Sequence, residues 1–182
     1  MLKKKLLALV GVLAILACGA CLLPPLPEQK ESLPPPLASV HKIVINVEDR
    51  TTVDAFDPVM MSKATASSFN QMWMDYRVRA ETNNAGQPGD AVLRITVLNK
   101  AASCVPKGNG QYCSIELVAS YALTAVDGRV LLSRPQESSK NGIWQQGNSL
   151  ADSLNSSTFQ RLASDSLAGT AGKMLIHSAN SQ

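Results

Sequence analysis

Hydrophobic and polar residues alternate at the start of the folded region. Over Lys42–Glu48, the apolar residues Ile43, Ile45 and Val47 fall on one side of an extended chain, which predicts a β-strand. After Asp57-Pro58, apolar residues recur every three or four positions, which is typical of a helix. Asp is a preferred N-cap and Pro is favoured at the first helical position, so this helix is predicted over 58–75. Its stripe is interpreted as core, with a ligand groove as the alternative, and consists of Met61, Thr65, Phe69, Met72 and Tyr76.

Strand patterns dominate the middle of the chain. A short strand is predicted over Arg77–Ala80, a loop over Asn83–Asp90, and long strands over Ala91–Ser103 and Ser114–Val126. Asp127-Gly128 lies between two apolar runs and predicts a hairpin that returns through Val130–Ser133.

The last third of the chain is less regular. Arg134–Gly147 is ambiguous and could carry an edge strand around Ile143-Trp144. A final helix is predicted from an N-cap at Asn148, although Gly169 and Gly172 could break it.

The predicted order is therefore β-α-(β)-β-β-β-α, where the strand in parentheses is the short one over Arg77–Ala80. This order indicates an α+β fold, in which a mostly antiparallel sheet carries two helices packed on one face. Residues 41–182 form a single predicted domain, long enough to bury a core of its own.

The first residues have the pattern of an export signal. Met1–Lys5 is basic and Leu6–Ala17 is apolar, but this apolar run is too short to span a bilayer, which takes about 20 residues. Residues 1–17 are therefore predicted to be a signal peptide. Cys18 directly follows Ala17 and resembles the modified cysteine of a bacterial lipobox, so Cys18 is the predicted lipidation site.

The alternative lipidation site is Cys21. With Cys18 cleaved away and Cys21 lipidated, an even pair of cysteines would remain in the mature chain. An N-terminus that carries more than one acyl chain would hold the protein stably on a membrane. Gly19 follows Cys18, and by resemblance to the sorting of Gram-negative lipoproteins this favours the outer membrane, with the domain facing the periplasm.

Residues 18–40 are predicted to be a tether. Six of the ten prolines lie in this stretch, and proline lacks the amide donor that helices and sheets need. An extended, semi-rigid spacer between the lipid and the domain is expected.

Cys104 and Cys113 enclose the segment Val105–Tyr112 between two predicted strands. A redox pair or a metal site is possible in principle, but the spacing is not C-x-x-C and no histidine is nearby in the sequence. In an exported protein the expected role of the pair is a structural disulfide.

Charge argues against nucleic acid as a partner. The 182-residue chain has 17 Lys and Arg and 14 Asp and Glu. Removing Lys3, Lys4 and Lys5 with the signal peptide leaves 14 basic residues, which matches the 14 acidic ones. A neutral mature protein without a basic run is a poor candidate for nucleic-acid binding.

The sequence contains no recognisable catalytic motif. Its two histidines, His41 and His177, lie at opposite ends of the domain, and there is no G-x-S-x-G motif or glycine-rich phosphate loop. Asp54 and Asp57 flank a helix start, where the helix dipole favours carboxylates. No metal, cofactor or enzymatic activity is therefore expected, and catalytic residues are not assigned.

Several residues are candidates for binding. Arg77 and Arg79 alternate along the chain and, with Arg94, could form a cationic face for an anionic lipid or glycan, although a solvated strand face is the alternative. The edge around Trp144 and the two loop tips, Asn83–Asp90 and Val105–Tyr112, are the expected contact surfaces, because loops on a rigid scaffold often carry recognition.

The order of these features resembles small envelope lipoproteins. VEDRTTVDAFDP before the first helix and AVDGRVLL in the hairpin are similar to the lipopolysaccharide-assembly lipoproteins of the outer-membrane translocon and to YajG-type lipoproteins. The resemblance implies a non-catalytic assembly or adaptor subunit of an envelope complex, with lipopolysaccharide export as one such role. The alternative is a lipoprotein that binds a lipid, glycan or peptide in a groove between the helices and the sheet.

Overall fold

The computed structural model describes residues 30–52, 55–82, 90–146 and 157–178. Five strands and two helices lie in these ranges. In chain order they are β1 (Lys42–Asp49), α1 (Pro58–Met72), β2 (Arg79–Glu81), β3 (Ala91–Lys107), β4 (Gly110–Ala125), β5 (Val130–Gln146) and α2 (Ser157–Ile176).

The five strands form one sheet in the order β2-β1-β3-β4-β5. The α+β class is confirmed, but the sheet is mixed, because β1 runs parallel to both β2 and β3 while β3, β4 and β5 are antiparallel. The sequence predicts a mostly antiparallel sheet. The parallel pairs arise because α1 carries the chain back along the sheet, so that β2 starts beside the start of β1.

Both helices pack on one face of the sheet, as expected. The core between these layers is aliphatic, and the inward residues of β1, β3 and β4 are fully buried there, among them Ile43, Ile95 and Leu123. Asp57 caps α1 by accepting a 2.7 Å hydrogen bond from the backbone N–H of Met60. The opposite face of the sheet is called the open face below.

The two helices contact each other through small residues. α2 continues through Gly169 and Gly172, so the expectation that these glycines break the helix is wrong. Gly172 lies directly under the indole ring of Trp73 and has no room for a Cβ atom. Trp73 also donates a 3.3 Å hydrogen bond to the carbonyl of Ala168. Packing against α1 therefore outweighs the low helix propensity of glycine. Asn148, the predicted N-cap, lies outside the described residues.

The turn between β3 and β4 is much tighter than expected. The sequence predicts a loop tip over Val105–Tyr112. In the structure β3 continues to Lys107 and β4 begins at Gly110, so only Gly108 and Asn109 connect the two strands. Gly108 has a φ of 62°, a conformation that favours glycine. Pro106 fits within β3 because β1 pairs with β3 only as far as Val97, so the missing amide donor of Pro106 costs no ladder hydrogen bond.

β5 is a single strand of 17 residues at the edge of the sheet. The possible edge strand around Ile143-Trp144 is therefore present and begins much earlier, at Val130. The strand is interrupted by a register shift between its pairings with Ala119 and Tyr121. The predicted hairpin at Asp127-Gly128 is also present, with Gly128 at a φ of 88°.

The end of the Pro-rich stretch packs against the domain. Leu33, Leu37 and Val40 are at most 6% exposed and belong to the core. Glu31 forms an isolated backbone bridge with Tyr76. The N–H of Glu31 donates to the carbonyl of Asp75, and the carbonyl of Glu31 accepts from the N–H of Arg77. These residues differ from the free tether expected over 18–40, because the leucines between the prolines bury their side chains.

Candidate functional site

Three side chains form an exposed row across the open face. Val105, Tyr112 and Trp144 lie opposite one another on β3, β4 and β5. They are 58%, 39% and 45% exposed, although each has a large apolar surface. The fold thus joins two regions that the sequence analysis treated separately, the Val105–Tyr112 segment and the edge around Trp144. These three residues are called the aromatic row below.

Two glycines hold the rings of the aromatic row against the sheet. A Cβ atom at Gly142 would collide with the ring of Tyr112, and one at Gly110 would lie 2.8 Å from the Trp144 ring. Each ring therefore covers a glycine on the neighbouring strand: Tyr112 covers Gly142, and Trp144 covers Gly110. This arrangement shields the glycine backbone from water. The rings are positioned before any partner arrives, which lowers the entropy cost of binding.

A lysine lies beside the aromatic row. The Nζ atom of Lys107 is 5.9 Å from the centroid of the Tyr112 ring, within the range of a cation–π contact. Four positions further along β4 than Tyr112, Glu116 forms an exposed ion pair with Lys140 on β5. The hydrogen bond and the charge of Glu116 raise the pKa of Lys140 above its usual value.

On the other face of the sheet, a disulfide joins the same two strands. Cys104 and Cys113 are directly opposed in the β3–β4 register, and they form the disulfide that the sequence analysis expected. Cys113 is completely buried. The covalent link lies one position away from Val105 and Tyr112, so it fixes the two strands that carry the row.

The three candidate arginines do not gather into one site. Arg77 donates a 2.9 Å hydrogen bond from Nε to the carbonyl of Lys30 and thereby holds the end of the Pro-rich stretch. Arg79 and Arg94 are on the open face, since they alternate with buried neighbours, but β1 separates their strands. They are also distant in register from Trp144, because Arg94 lies opposite Ala122 whereas Trp144 lies opposite Tyr112.

The candidate acid–base residues take structural or solvent-facing positions. His41 precedes β1 and His177 follows α2, and both side chains are exposed. Asp57 caps α1, while Asp54 lies outside the described residues. Across the part of the chain that the structure describes, no three His, Cys, Asp or Glu side chains form a group that could hold a metal ion.

A shallow groove of about 660 Å³ lies between α1, α2 and the end of β5. Its lining is rich in hydroxyl and amide groups and includes Ser67, Gln71, Asn141, Gln160 and Ser164. Ser68 and Asp165, also in the lining, bridge the helices through a 2.7 Å hydrogen bond. The alternative function predicted from the sequence, the binding of a ligand between the helices and the sheet, would use this groove.

The structure contains a buried ion pair that no sequence pattern predicts. The carboxylate of Asp49 accepts a 2.6 Å hydrogen bond from Nζ of Lys100, and the two side chains are 1% and 2% exposed. Lys100 also lies 4.0 Å from the centroid of the Phe56 ring. Asp49 belongs to the EDRT segment, and it further accepts hydrogen bonds from the N–H groups of Thr51 and Phe56. This segment therefore has a structural role in the connection between β1 and α1.

Neither described helix combines the length and the apolar character that crossing a membrane would need. The predicted lipidation sites, Cys18 and Cys21, and the loop 83–89 lie outside the described residues.

Comparison with known proteins gives only distant likenesses. No protein-family model matches the sequence, and no curated protein matches it. Among solved structures, the chain is similar to a minor lipoprotein from Acinetobacter baumannii at 14% identity and a TM-score of 0.38, covering 78% of this chain and 92% of that one. It is similar to uncharacterized lipoprotein B from Nitrosomonas europaea at 10% identity and a TM-score of 0.38, covering 88% and 94%.

A third likeness is to the PelC dodecamer from Paraburkholderia phytofirmans, at 16% identity and a TM-score of 0.37, covering 76% of this chain and 91% of that one. Two of these three proteins are lipoproteins by name. Likenesses this distant assign neither a family nor a function, so the functional argument depends on the residues of this chain.

Proposed function

We propose that the protein is a lipid-anchored component of the bacterial cell envelope that acts by binding, as an assembly or adaptor subunit of an envelope complex. The observation that carries this proposal is the aromatic row. It exposes large apolar side chains on strands, two of which a disulfide joins, and both rings lie over glycines. Exposed apolar surface with a fixed geometry is typical of a binding surface.

The N-terminal sequence supports the anchor. The apolar run Leu6–Ala17 followed by Cys18 has the form of a lipoprotein signal, and it would place the domain on the periplasmic side of a membrane, with the outer membrane favoured by Gly19. A tethered domain meets its partner at a high effective concentration, which strengthens binding without any new contact. Lipopolysaccharide export is one complex in which such a subunit would fit.

The experiment is co-purification in mild detergent with mass spectrometry. We expect the wild-type protein to retain an envelope partner. A double variant, Tyr112→Ser with Trp144→Ser, should lose function in vivo at unchanged abundance, because the row is the surface by which the domain binds. The single variants His41→Ala and His177→Ala are controls that should keep the partner and the function in vivo. Loss of function in either histidine variant, at normal stability, would instead indicate catalysis.

The groove between the helices and β5 supports a second candidate, a ligand-binding lipoprotein. Its lining combines hydroxyl and amide groups with apolar side chains such as Met61 and Leu162, which suits a ligand with both polar and apolar faces such as a glycan. Native mass spectrometry of protein released from membranes would test this candidate, which predicts a bound small molecule that is lost when Gln71 and Gln160 are changed to Leu.

A further inference from the structure

We infer that the aromatic row rests in the headgroup layer of the membrane that holds the lipid anchor, so that the domain lies along the bilayer with its open face down. This inference rests on the proposed function, because it requires the anchor, and it names the surface that the row contacts.

The side chains of the row suit this environment. Trp and Tyr combine an apolar ring with a polar tip, and such residues are enriched where a membrane meets water. Lys107 can extend its ammonium group to a phosphate while its methylene chain stays against apolar surface. Val105 supplies further apolar area beside Tyr112. The row therefore has apolar groups for the boundary of the acyl chains and a cation for an anionic headgroup.

The number of residues between the anchor and the domain limits the orientation. Lys30 lies twelve positions after Cys18, and a fully extended chain of that length reaches about 40 Å at most. Lys30 is held near Arg77, beside the start of β1. The aromatic row lies toward the other end of the sheet, since Tyr112 is 13 residues before the end of β4 at Ala125, a length of about 44 Å.

These lengths favour a domain that lies flat. If the sheet stood upright with the row on the bilayer, Lys30 would be at the limit of its reach or beyond it. If the sheet lies along the bilayer, the anchor and the row both reach the surface. The rings project from the face of the sheet rather than from the tip of its hairpin, so they point toward the lipid in this second arrangement.

The size of the row also favours lipid over a protein partner. A stable protein interface buries roughly 800 Å² on each side, far more than three side chains can supply. A few interfacial side chains are enough to orient a domain that a lipid anchor already holds at the surface. The helical face then remains available to a protein partner.

The two tryptophans allow a direct test. Trp144 belongs to the row, whereas Trp73 packs on Gly172 between the helices and serves as an internal control. The lipidated chain, purified from membranes, is reconstituted into vesicles of phosphatidylcholine and phosphatidylglycerol that contain acyl chains brominated near the headgroup. The variant Trp73→Phe isolates the fluorescence of Trp144, and Trp144→Phe isolates that of Trp73.

We expect bromine to quench Trp144 strongly and Trp73 hardly at all. In anionic vesicles, Lys107→Gln should lower the ratio of molecules whose aromatic row is in the membrane to those whose row is in water about fivefold. This is the effect expected from removing one cation near such a surface. Lys63→Gln, on the exposed face of α1, should leave this ratio unchanged. Circular dichroism of each variant confirms that it is folded.

Equal quenching of the two tryptophans, or none, would overturn the inference. The same conclusion follows if Trp144 stays open to a water-soluble quencher in pure lipid and is shielded only after an envelope protein extract is added. In that case the row contacts a protein and the proposed function stands. The mass of the N-terminal peptide reports the anchor separately, and an unmodified cysteine would refute the proposed function together with the inference.

Discussion

The carboxylate of Asp49 and the ammonium group of Lys100 lie 2.6 Å apart, with less than 3% of either side chain exposed, although 51 residues separate them in sequence. The pair joins the end of β1 to the middle of β3. Asp49 also accepts hydrogen bonds from the backbone of Thr51 and Phe56. One carboxylate therefore stabilises both the sheet and the connection to α1.

Removing one member of this pair should be strongly destabilising. We expect Asp49→Asn to lower the free energy of unfolding by about 3–5 kcal/mol, because it removes the carboxylate charge that pairs with the buried ammonium group of Lys100. Urea unfolding monitored by circular dichroism measures this loss. Glu48→Gln is the matched control, since Glu48 forms an exposed pair with Arg50, and it should cost no more than about 1 kcal/mol. Equal effects of the two variants would contradict a special role for the buried pair.

The same carboxylate should make stability depend on pH in the acid range. Burial alone would raise the pKa of Asp49, but hydrogen bonds from Lys100, Phe56 and Thr51 outweigh it and hold the pKa below its ordinary value of 3.8. The contribution of Asp49 is therefore fully present above pH 3.8 and is lost as the pH falls through the lower pKa of the folded state. Acid titration of the unfolding free energy should show a decline in this range that is weaker in Asp49→Asn.

Two glycines of α2 provide a paired test of helix packing. Gly172→Ala should destabilise the protein by about 1–3 kcal/mol, because a Cβ atom there collides with the Trp73 ring. Gly169→Ala has the same chemistry, but its nearest neighbour would be the Met72 sulfur at 3.8 Å. This second change should stabilise α2 by up to about 1 kcal/mol. Thermal unfolding of both variants measures the difference, and the same sign for both would show that α1 and α2 pack differently.

The disulfide should contribute stability without determining the fold. Changing both Cys104 and Cys113 to Ser should lower the free energy of unfolding by about 2–3 kcal/mol, the value expected for closing a loop of ten residues. The far-ultraviolet spectrum should remain unchanged, because the β3–β4 register extends far beyond the bridge. Peptide mapping without reductant should recover the linked pair, and free thiols in protein taken from the periplasm would refute the bridge.

We expect the N-terminal cysteine of the mature protein to carry lipid. The N-terminal peptide of the membrane-bound protein should begin at Cys18 and carry acyl chains, because the apolar run ends at Ala17 with Ile15 three positions before the cysteine. Mass spectrometry of that peptide identifies the modified residue. A lipid on Cys21 would change only the cleavage site, whereas an unmodified soluble protein would contradict the anchor.

Local patterns in the sequence predict most of the elements but few of the long-range contacts. Alternation in Lys42–Glu48 predicts β1, and Asp57-Pro58 predicts the start of α1, because both signals act within a few residues. The parallel pairing of β1 and the Asp49–Lys100 contact depend on residues far apart in the chain. No local pattern encodes them.

The aromatic row shows the same limit. Val105, Tyr112 and Trp144 are each visible in the sequence, yet their alignment depends on a two-residue turn and on the register of β5. The sequence analysis placed a longer loop between Cys104 and Cys113, because the Pro and Gly residues there are typical of loops. The row forms because the strands continue through that segment and bring the three residues into register.

The position of β1 has a consequence for the order in which the chain folds. β1 is the first strand to emerge when the chain is made or exported from its N-terminus, yet it lies between β2 and β3 and pairs with β3 as far as Val97. The groups on its β2 side therefore gain partners only after about forty further residues have emerged, and those on its β3 side only after about fifty. The hairpins of β3, β4 and β5 need only local contacts and form faster. The earliest strand of the sequence is thus among the last to complete its pairing, and during that interval the alternating apolar face of Lys42–Glu48 requires protection from aggregation.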